Sequence, residues 1–240
     1  MQFLYHPNSA DSIITLNGEE LLHLKARRVK CGDMLRLRNL SDDRIYTYKI
    51  THIEKKSLTL QLCGSEQTSI ESSYTPLHLL WAIIEPKIIE KTLPMLNELG
   101  VKRISFFYSA FSQRQFRLQF ERLQKIIIQS CQQCGRGDRM ELELYKDFKS
   151  VCGAYDDFWA FDFGGEDIAQ WIESAKSTRG KGGAILLSGT RDMLRVMIGA
   201  EGGFSQDERE AFKRIITLHD SPILRSESAC VFIASLARLL

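Results

Sequence analysis

The sequence predicts an α/β protein in two parts, a small β-barrel followed by a larger domain of alternating strands and helices. Three observations carry this. The first 63 residues hold short β-type runs separated by turn signals. A polar, Ser/Thr-rich stretch follows at Gly64–Tyr74 and reads as a linker. Beyond it, apolar strand-like runs alternate with helical periods, the pattern of a parallel sheet flanked by helices. The boundaries expected are 1–66 for the barrel and 74–240 for the second domain.

In the first part, strands are expected at Met1–His6, Met34–Arg38, Ile45–Ile53 and Ser57–Leu62, with a short helix at Glu19–Arg27. In the second, strands are expected at Leu77–Ile84, Arg103–Tyr108, Glu141–Leu144, Phe158–Asp162, Ala184–Leu187 and Arg195–Ile198. The helices expected between and after them are Ile88–Leu99, Arg117–Cys134, Ile168–Ser177, Gln206–Ile216 and Glu227–Leu240. The last is apolar from Ala229 to Leu240 with little polar face, which predicts burial nearly all round. No internal repeat is present.

With 44% hydrophobic and 26% charged residues in 240, the chain has the composition of a soluble globular protein able to bury a sizeable core. No apolar run reaches membrane-span length, and the start Met-Gln-Phe-Leu-Tyr-His-Pro lacks a signal-peptide pattern, so a cytoplasmic location is expected. Six scattered cysteines fit a reducing compartment. Cys131 and Cys134 form a C-x-x-C pair without the further ligands a zinc site needs, so no metal is expected. A net charge of +2 hides an asymmetry. Residues 102–139 carry eight Lys/Arg against two acids, and residues 140–175 carry two Lys against nine acids. The basic run is interleaved with Phe106, Phe107, Tyr108, Phe111 and Phe116, which suits RNA as well as it suits a solvated face with core aromatics.

Two segments near the C-terminus carry the chemistry. Ile198–Gly-Ala-Glu-Gly-Gly-Phe-Ser205 is a glycine loop between an apolar run and a polar helix former. Ser205 and Glu208 have capping-box spacing, and Asp207 adds negative charge in the first turn. A phosphate cradle leaves those N–H groups open and usually ends in Gly-Lys-Ser/Thr, so this loop suits a neutral or cationic ligand. An ordinary strand–helix turn is the plain alternative. The second segment is Ile223–Leu-Arg-Ser-Glu-Ser-Ala229.

Together these segments resemble the ribosomal RNA small-subunit methyltransferase E family of the SPOUT (trefoil-knot) superfamily. Ile198–Ser205 is similar to (I/V)-G-P-E-G-G-(F/L)-(S/T), and Leu224–Ala229 to L-R-(T/S)-E-(T/S)-A. Asn97–Val101 resembles the family's ELGV helix end, Gln133–Arg136 its EQ(S/C)GR segment, and His23 through Gly32-Asp33 its N-terminal pattern. The resemblance implies a PUA-like RNA-binding barrel, a SPOUT domain with a C-terminal trefoil knot, and a homodimer whose interface includes the last helix. It implies S-adenosyl-L-methionine as cofactor and N3 of a uridine in 16S rRNA as target. The cofactor residues implied are Phe163, Gly164, Gly165, Ile198, Gly199, Glu201, Gly202, Gly203, Phe204, Leu218, Ile223, Leu224, Arg225, Ser226 and Ser228. Arg225 is placed to stabilise charge on a uracil oxygen, with Glu227 or Glu201 as base, a choice the sequence leaves open. The RNA contacts expected are Lys25, Arg27, Arg28, Lys30, Arg114 and Arg136. Two departures stand out. Ala200 replaces the family's proline, and His219-Asp220 stands where a Leu-Gly is usual. They leave room for a non-catalytic RNA-binding protein on the same scaffold, and another SPOUT RNA methyltransferase is a further alternative.

Overall fold

The computed structural model describes residues 2–68, 76–179 and 193–240. The chain forms two compact units, Met1–Glu71 with Ile128–Arg139, and Ser72–Ile127 with Met140–Leu240.

The first unit is built on strands β1 (Leu4–Tyr5), β2 (Ile13–Leu16), β3 (Met34–Arg38), β4 (Arg44–Ile53) and β5 (Leu58–Gln67), with helix α1 (Gly18–Ala26) after β2. The sheet order is β1-β3-β4-β5-β2, parallel only between β1 and β3. Register shifts in the β4–β5 ladder, at Thr47/Tyr48 and Ile50/His52, are where such a pair bends and twists. The expected barrel is therefore a curled five-stranded sheet, closed over one core by Leu21 and Leu24 of α1. Ile14, Leu16, Leu37, Tyr48, Ile50, Leu58 and Leu60 fill that core. Strand β2 was not expected. It alternates exposed Ile13 and Thr15 with buried Ile14 and Leu16, but is only four residues long. Strand β5 runs on to Gln67 because Gly64–Gln67 pair with Arg44–Thr47, so the linker begins later than the composition suggests. Its residues 69–74 lie outside the described residues. Gln132 ties the N-terminal strand: its carbonyl accepts from the Gln2 N–H (2.7 Å), its side-chain oxygen from the Tyr5 N–H (2.8 Å).

The second unit holds a parallel sheet of β6 (Leu77–Ala82), β7 (Arg103–Phe107), β8 (Glu141–Tyr145), β9 (Trp159–Asp167), β10 (Leu194–Ile198) and β11 (Ile215–Thr217). The order is β11-β9-β10-β6-β7-β8. Central β6 is buried along its whole length, which is why it reads as a continuous apolar run rather than an alternating one. The helices are α2 (Pro86–Glu98), α3 (Phe120–Cys134), α4 (Phe148–Ala154), α5 (Ile168–Arg179), α6 (Gln206–Glu210) and α7 (Ser226–Ala237). The expected strand Ala184–Leu187 lies outside the described residues. Helix α4 escaped notice because it is two turns long; its start is a local signal, Asp147 accepting the Ser150 N–H at 2.8 Å.

Two further expectations are corrected. The single helix over Gln206–Ile216 breaks after Glu210, and β-branched Ile215–Thr217 join β9 as an edge strand. Phe212 between them anchors the break, stacking edge-on to Phe204 at 4.8 Å. Phe163–Gly165, beyond the expected strand Phe158–Asp162, continue strand β9. Gly165 is required there, since a Cβ would stand 2.3 Å from the Ile215 carbonyl oxygen. Helix α7 buries Ser226, Ala229, Cys230, Ile233, Ala234 and Ala237 on one face. Within the chain it is thus covered on one side and not all round, with Val231, Phe232 and Leu236 half-buried and Ser235 exposed.

Candidate active site

The glycine loop leaves β10 at Ile198 and turns back within four residues. The Gly203 N–H donates to the Ala200 carbonyl at 2.9 Å, placing Glu201 and Gly202 at the apex of a β-turn. Gly203 has φ +73°, the left-handed region open to glycine. Gly199 passes so close to Gly203 that a Cβ on it would stand 3.0 Å from the Gly203 carbonyl. The loop then enters α6 through a complete capping box. Ser205 Oγ accepts from the Glu208 N–H (3.3 Å), and Glu208 Oε2 accepts from the Ser205 N–H (2.9 Å). The other oxygen of buried Glu208 accepts from the Ala110 N–H at 2.9 Å, fastening the loop after β7 to the same helix start. Two of the N–H groups at this helix start, those of Ser205 and Glu208, are thus engaged by the protein itself.

Ser226 locks the loop from the other side. Its hydroxyl donates to the Gly199 carbonyl (2.6 Å) and accepts from Trp81 Nε1 of β6 (2.9 Å). It is 5% exposed, so its hydrogen-bonding capacity is spent on shaping the site. Across the site, Arg209 of α6 donates from Nε to Asp162 Oδ2 of β9 (2.6 Å) and from Nη2 to Oδ1 (3.3 Å). This two-point pair, with the Asp162 side chain 5% exposed, pulls the Arg209 guanidinium above its ordinary range.

These elements enclose a cavity of about 260 Å³. Of the residues expected from the sequence, Phe163, Ile198, Gly199, Glu201, Gly202, Gly203, Phe204, Leu218, Ile223, Leu224 and Ser226 line it. Gly164, Gly165, Arg225, Ser228 and Glu227 do not. Arg225 is the exposed N-cap of α7, and Glu227 lies in its first turn, where a carboxylate favours the helix dipole. Phe161, Asp162, Thr217, Arg209 and Ala229 line the cavity without having been foreseen, while Ala200, Ser221 and Pro222 line it within the two stretches, Gly199–Phe204 and Leu218–Arg225, whose backbone was expected there. Ala229 was within reach, as part of the second motif. The Asp162–Arg209 pair spans 47 positions and leaves no local signal.

The basic residues are placed unequally. In the first unit Arg27, Arg28 and Lys30 are exposed, while the Lys25 ammonium donates to the Lys55 carbonyl at 2.7 Å. Arg136, expected on RNA, is instead held by Asp138 (Nε to Oδ1 2.9 Å, Nη2 to Oδ2 3.0 Å) with its side chain 9% exposed, so it is not offered to a phosphate. In the second unit Arg114 is exposed and lies over the Tyr108 ring at 5.5 Å. Arg103 is spent on Glu141 (Nε to Oε2, 2.7 Å) and Arg122 on Glu90 (2.8 Å), so part of the sequence's charge asymmetry is internal pairing. Phe106 and Phe107 are core, and Phe111 is the aromatic of that run left open to solvent.

Comparison with known proteins places this arrangement. A family model described as an RNA methyltransferase domain matches residues 71–238, and one described as an RNA methyltransferase PUA domain matches residues 16–63. The chain is 41% identical over 245 aligned positions to the ribosomal RNA small subunit methyltransferase E of Helicobacter pylori strain 26695, with all of both chains covered. Among solved structures, the ribosomal RNA small subunit methyltransferase E of Neisseria gonorrhoeae bound to S-adenosyl methionine superposes with a TM-score of 0.78 at 20% identity, covering 100% of this chain and 97% of that one. A putative methyltransferase of Legionella pneumophila with bound cofactor gives 0.78 at 20% identity, covering 99% and 97%. These two establish the shared fold, and the full-length identity goes further. The chain belongs to the ribosomal RNA small subunit methyltransferase E family.

Proposed function

We propose that this protein is an S-adenosyl-L-methionine-dependent methyltransferase that modifies N3 of a uridine in 16S rRNA. The observation that carries the reading is the meeting of residues from both motif segments, 198–205 and 223–229, in one pocket. The residues present fit such a cofactor. Ile198, Phe204, Leu224 and Ala229 supply apolar surface, and the irregular backbone of both loops offers N–H and C=O groups to a heterocycle edge. The charged side chains on the wall are Asp162 and Glu201 against Arg209, a negative balance suited to a sulfonium. Glu208 and Ser205 engage two N–H groups of the helix start, and Asp207 and Glu208 put negative charge in its first turn, against an anion there.

When bound, the cofactor supplies an already activated methyl group, so the chain's task is to place the uracil in line with it. The uracil imide is a weak acid, and its N3 proton must be removed. Arg225 is assigned to stabilise negative charge on a uracil carbonyl oxygen. Two carboxylates remain candidates for the base, Glu201 at the turn apex on the pocket wall and Glu227 in the first turn of α7. The exposed Arg27, Arg28 and Lys30, with Lys25, are assigned to rRNA phosphates. The knot and the homodimer implied by the family belong to the same proposal. The partner surface is the outer side of α7, where Val231, Phe232 and Leu236 are half-buried, with exposed Leu239 just beyond the helix.

Nucleoside mass spectrometry of 16S rRNA from a deletion strain tests the reading. Loss of one N3-methylated uridine is expected, restored by the wild-type gene and not by Arg225→Ala. Unchanged rRNA refutes it, and loss of a ribose-methylated nucleoside instead points to another SPOUT activity.

A further inference from the structure

We propose that Phe111 is the stacking platform for an RNA base at the mouth of the methyl-transfer pocket. The inference rests on the methyltransferase reading above and names a part of the site that neither motif contains.

Phe111 sits at the apex of the turn Ser109–Ser112 that follows β7, and it is 51% exposed although the residues on which the turn stands, Ser109 and Ser112, are buried. The turn is rigidly held. The Ser112 hydroxyl donates to the Ile83 carbonyl (2.7 Å) and accepts from the Ser109 N–H (3.1 Å), and the Ser112 N–H donates to the Ser109 carbonyl (3.2 Å). The Ala110 N–H is fastened to the buried Glu208 carboxylate. A free aromatic side chain gains by burying itself against the nearest apolar surface. Here four hydrogen bonds hold the backbone so that the ring stays open to solvent.

The ring is held against the glycine loop. A Cβ on Gly202 would stand 3.1 Å from Phe111 Cγ, so the missing side chain of Gly202 is what admits the ring at the pocket wall. Close by in sequence, Arg114 stacks on Tyr108, and Arg117 donates to the Phe116 carbonyl (3.0 Å). Neither makes an ion pair with a carboxylate among the described residues. An aromatic face on a pinned turn at the rim of the pocket, with cations within six residues of it in sequence, suits single-stranded nucleic acid: bases stack on the ring and phosphates meet the guanidinium groups. Because the turn is fixed before RNA arrives, little ordering remains to oppose binding.

The test compares Phe111→Leu and Phe111→Trp in the full-length protein, with S-adenosyl-L-methionine affinity by calorimetry and kcat/KM for methyl transfer to 16S rRNA. Leucine keeps an apolar side chain and loses the π face. Phe111→Leu is expected to lower kcat/KM for RNA by about tenfold or more, the loss of roughly one base stack. Phe111→Trp is expected to recover most of it, with cofactor affinity unchanged in both. Equal activity of Phe111→Leu and wild type overturns the platform. So does a loss in Phe111→Leu accompanied by weaker cofactor binding or by altered mass in light scattering, which would make Phe111 a packing or subunit contact. If wild type itself binds no cofactor and methylates no RNA, the methyltransferase reading fails first.

Discussion

His78 predicts how the second unit responds to acid. It lies on β6, fully buried, with Nε2 at 2.8 Å from Ser105 Oγ. Ser105 has one proton and donates it to Glu143 Oε2 at 2.7 Å, so His78 must donate from Nε2. That fixes the neutral tautomer and leaves Nδ1 without a hydrogen-bond partner, beside the Tyr155 ring at 4.7 Å. A second proton at Nδ1 would have no acceptor. Burial first, then the positive charges of Arg195 and Arg103, against a smaller opposing effect of Glu143, push the imidazole from 6.5 down to about 3.

The sign follows. The folded pKa is depressed, so the unfolded chain binds the extra proton below 6.5 and the native state does not until about 3. His78 therefore costs nothing above that window and destabilises progressively as pH falls through it. At about 1.4 kcal/mol per pH unit, the loss between roughly pH 8 and pH 5 is about 2 kcal/mol. The assay is urea unfolding across this range for wild type and His78→Asn, followed by tryptophan fluorescence. Trp81, Trp159 and Trp171 all lie in the unit that contains His78. Taking the difference between the two proteins at each pH removes carboxylates they share, including Glu20, which burial raises. The wild-type curve should steepen below about pH 6.5 and the variant's should not. Parallel curves refute the assignment of a buried neutral histidine.

Four other outcomes are expected. Ser226→Ala leaves the Trp81 N–H and the Gly199 carbonyl without their partner and should cost about 1–3 kcal/mol in urea unfolding, with weaker cofactor binding. Gly203→Val, forcing a β-branched side chain to φ +73°, should weaken S-adenosyl-L-methionine at least about tenfold by calorimetry while the fold persists. Replacing Arg27, Arg28 and Lys30 with Ala should flatten the salt dependence of RNA binding by about 0.7–0.9 in slope for each phosphate no longer neutralised, and an unchanged slope would assign that cluster to solvent. Phe232→Asp, placing a carboxylate on the outer side of α7 near the Phe161 ring, should give a monomer without methyl transfer by light scattering and activity on one sample.

What was legible in the sequence was local. Strand β3 falls on the residues its alternation marks, and the Ser205–Glu208 box forms as its spacing requires, because each depends on neighbours within four residues. Bonds that close the site are not local. Trp81 meets Ser226 across 145 positions and Asp162 meets Arg209 across 47, so neither carries a period or a spacing. Short elements failed for a related reason. β11 has three β-branched residues, too few to outweigh the helical period before it, and its register with β9 makes it a strand. A knot, likewise, is a property of threading and has no periodic trace.

The two departures from the family motifs can now be read as backbone chemistry. A proline at position 200 would contribute a fixed φ and no N–H. The turn needs from that position a carbonyl, and the Ala200 carbonyl accepts the Gly203 N–H at 2.9 Å while its side chain is buried. Asp220 stands where a glycine was expected, and its φ is +53°. That is the left-handed conformation glycine adopts freely and aspartate tolerates better than most residues. The chain keeps the bend and accepts a small local strain. The Ala200 carbonyl thus closes the glycine turn, and Asp220 takes the left-handed conformation that a glycine there would allow. A non-catalytic RNA-binding scaffold was motivated by those two positions, and neither of them now supports it.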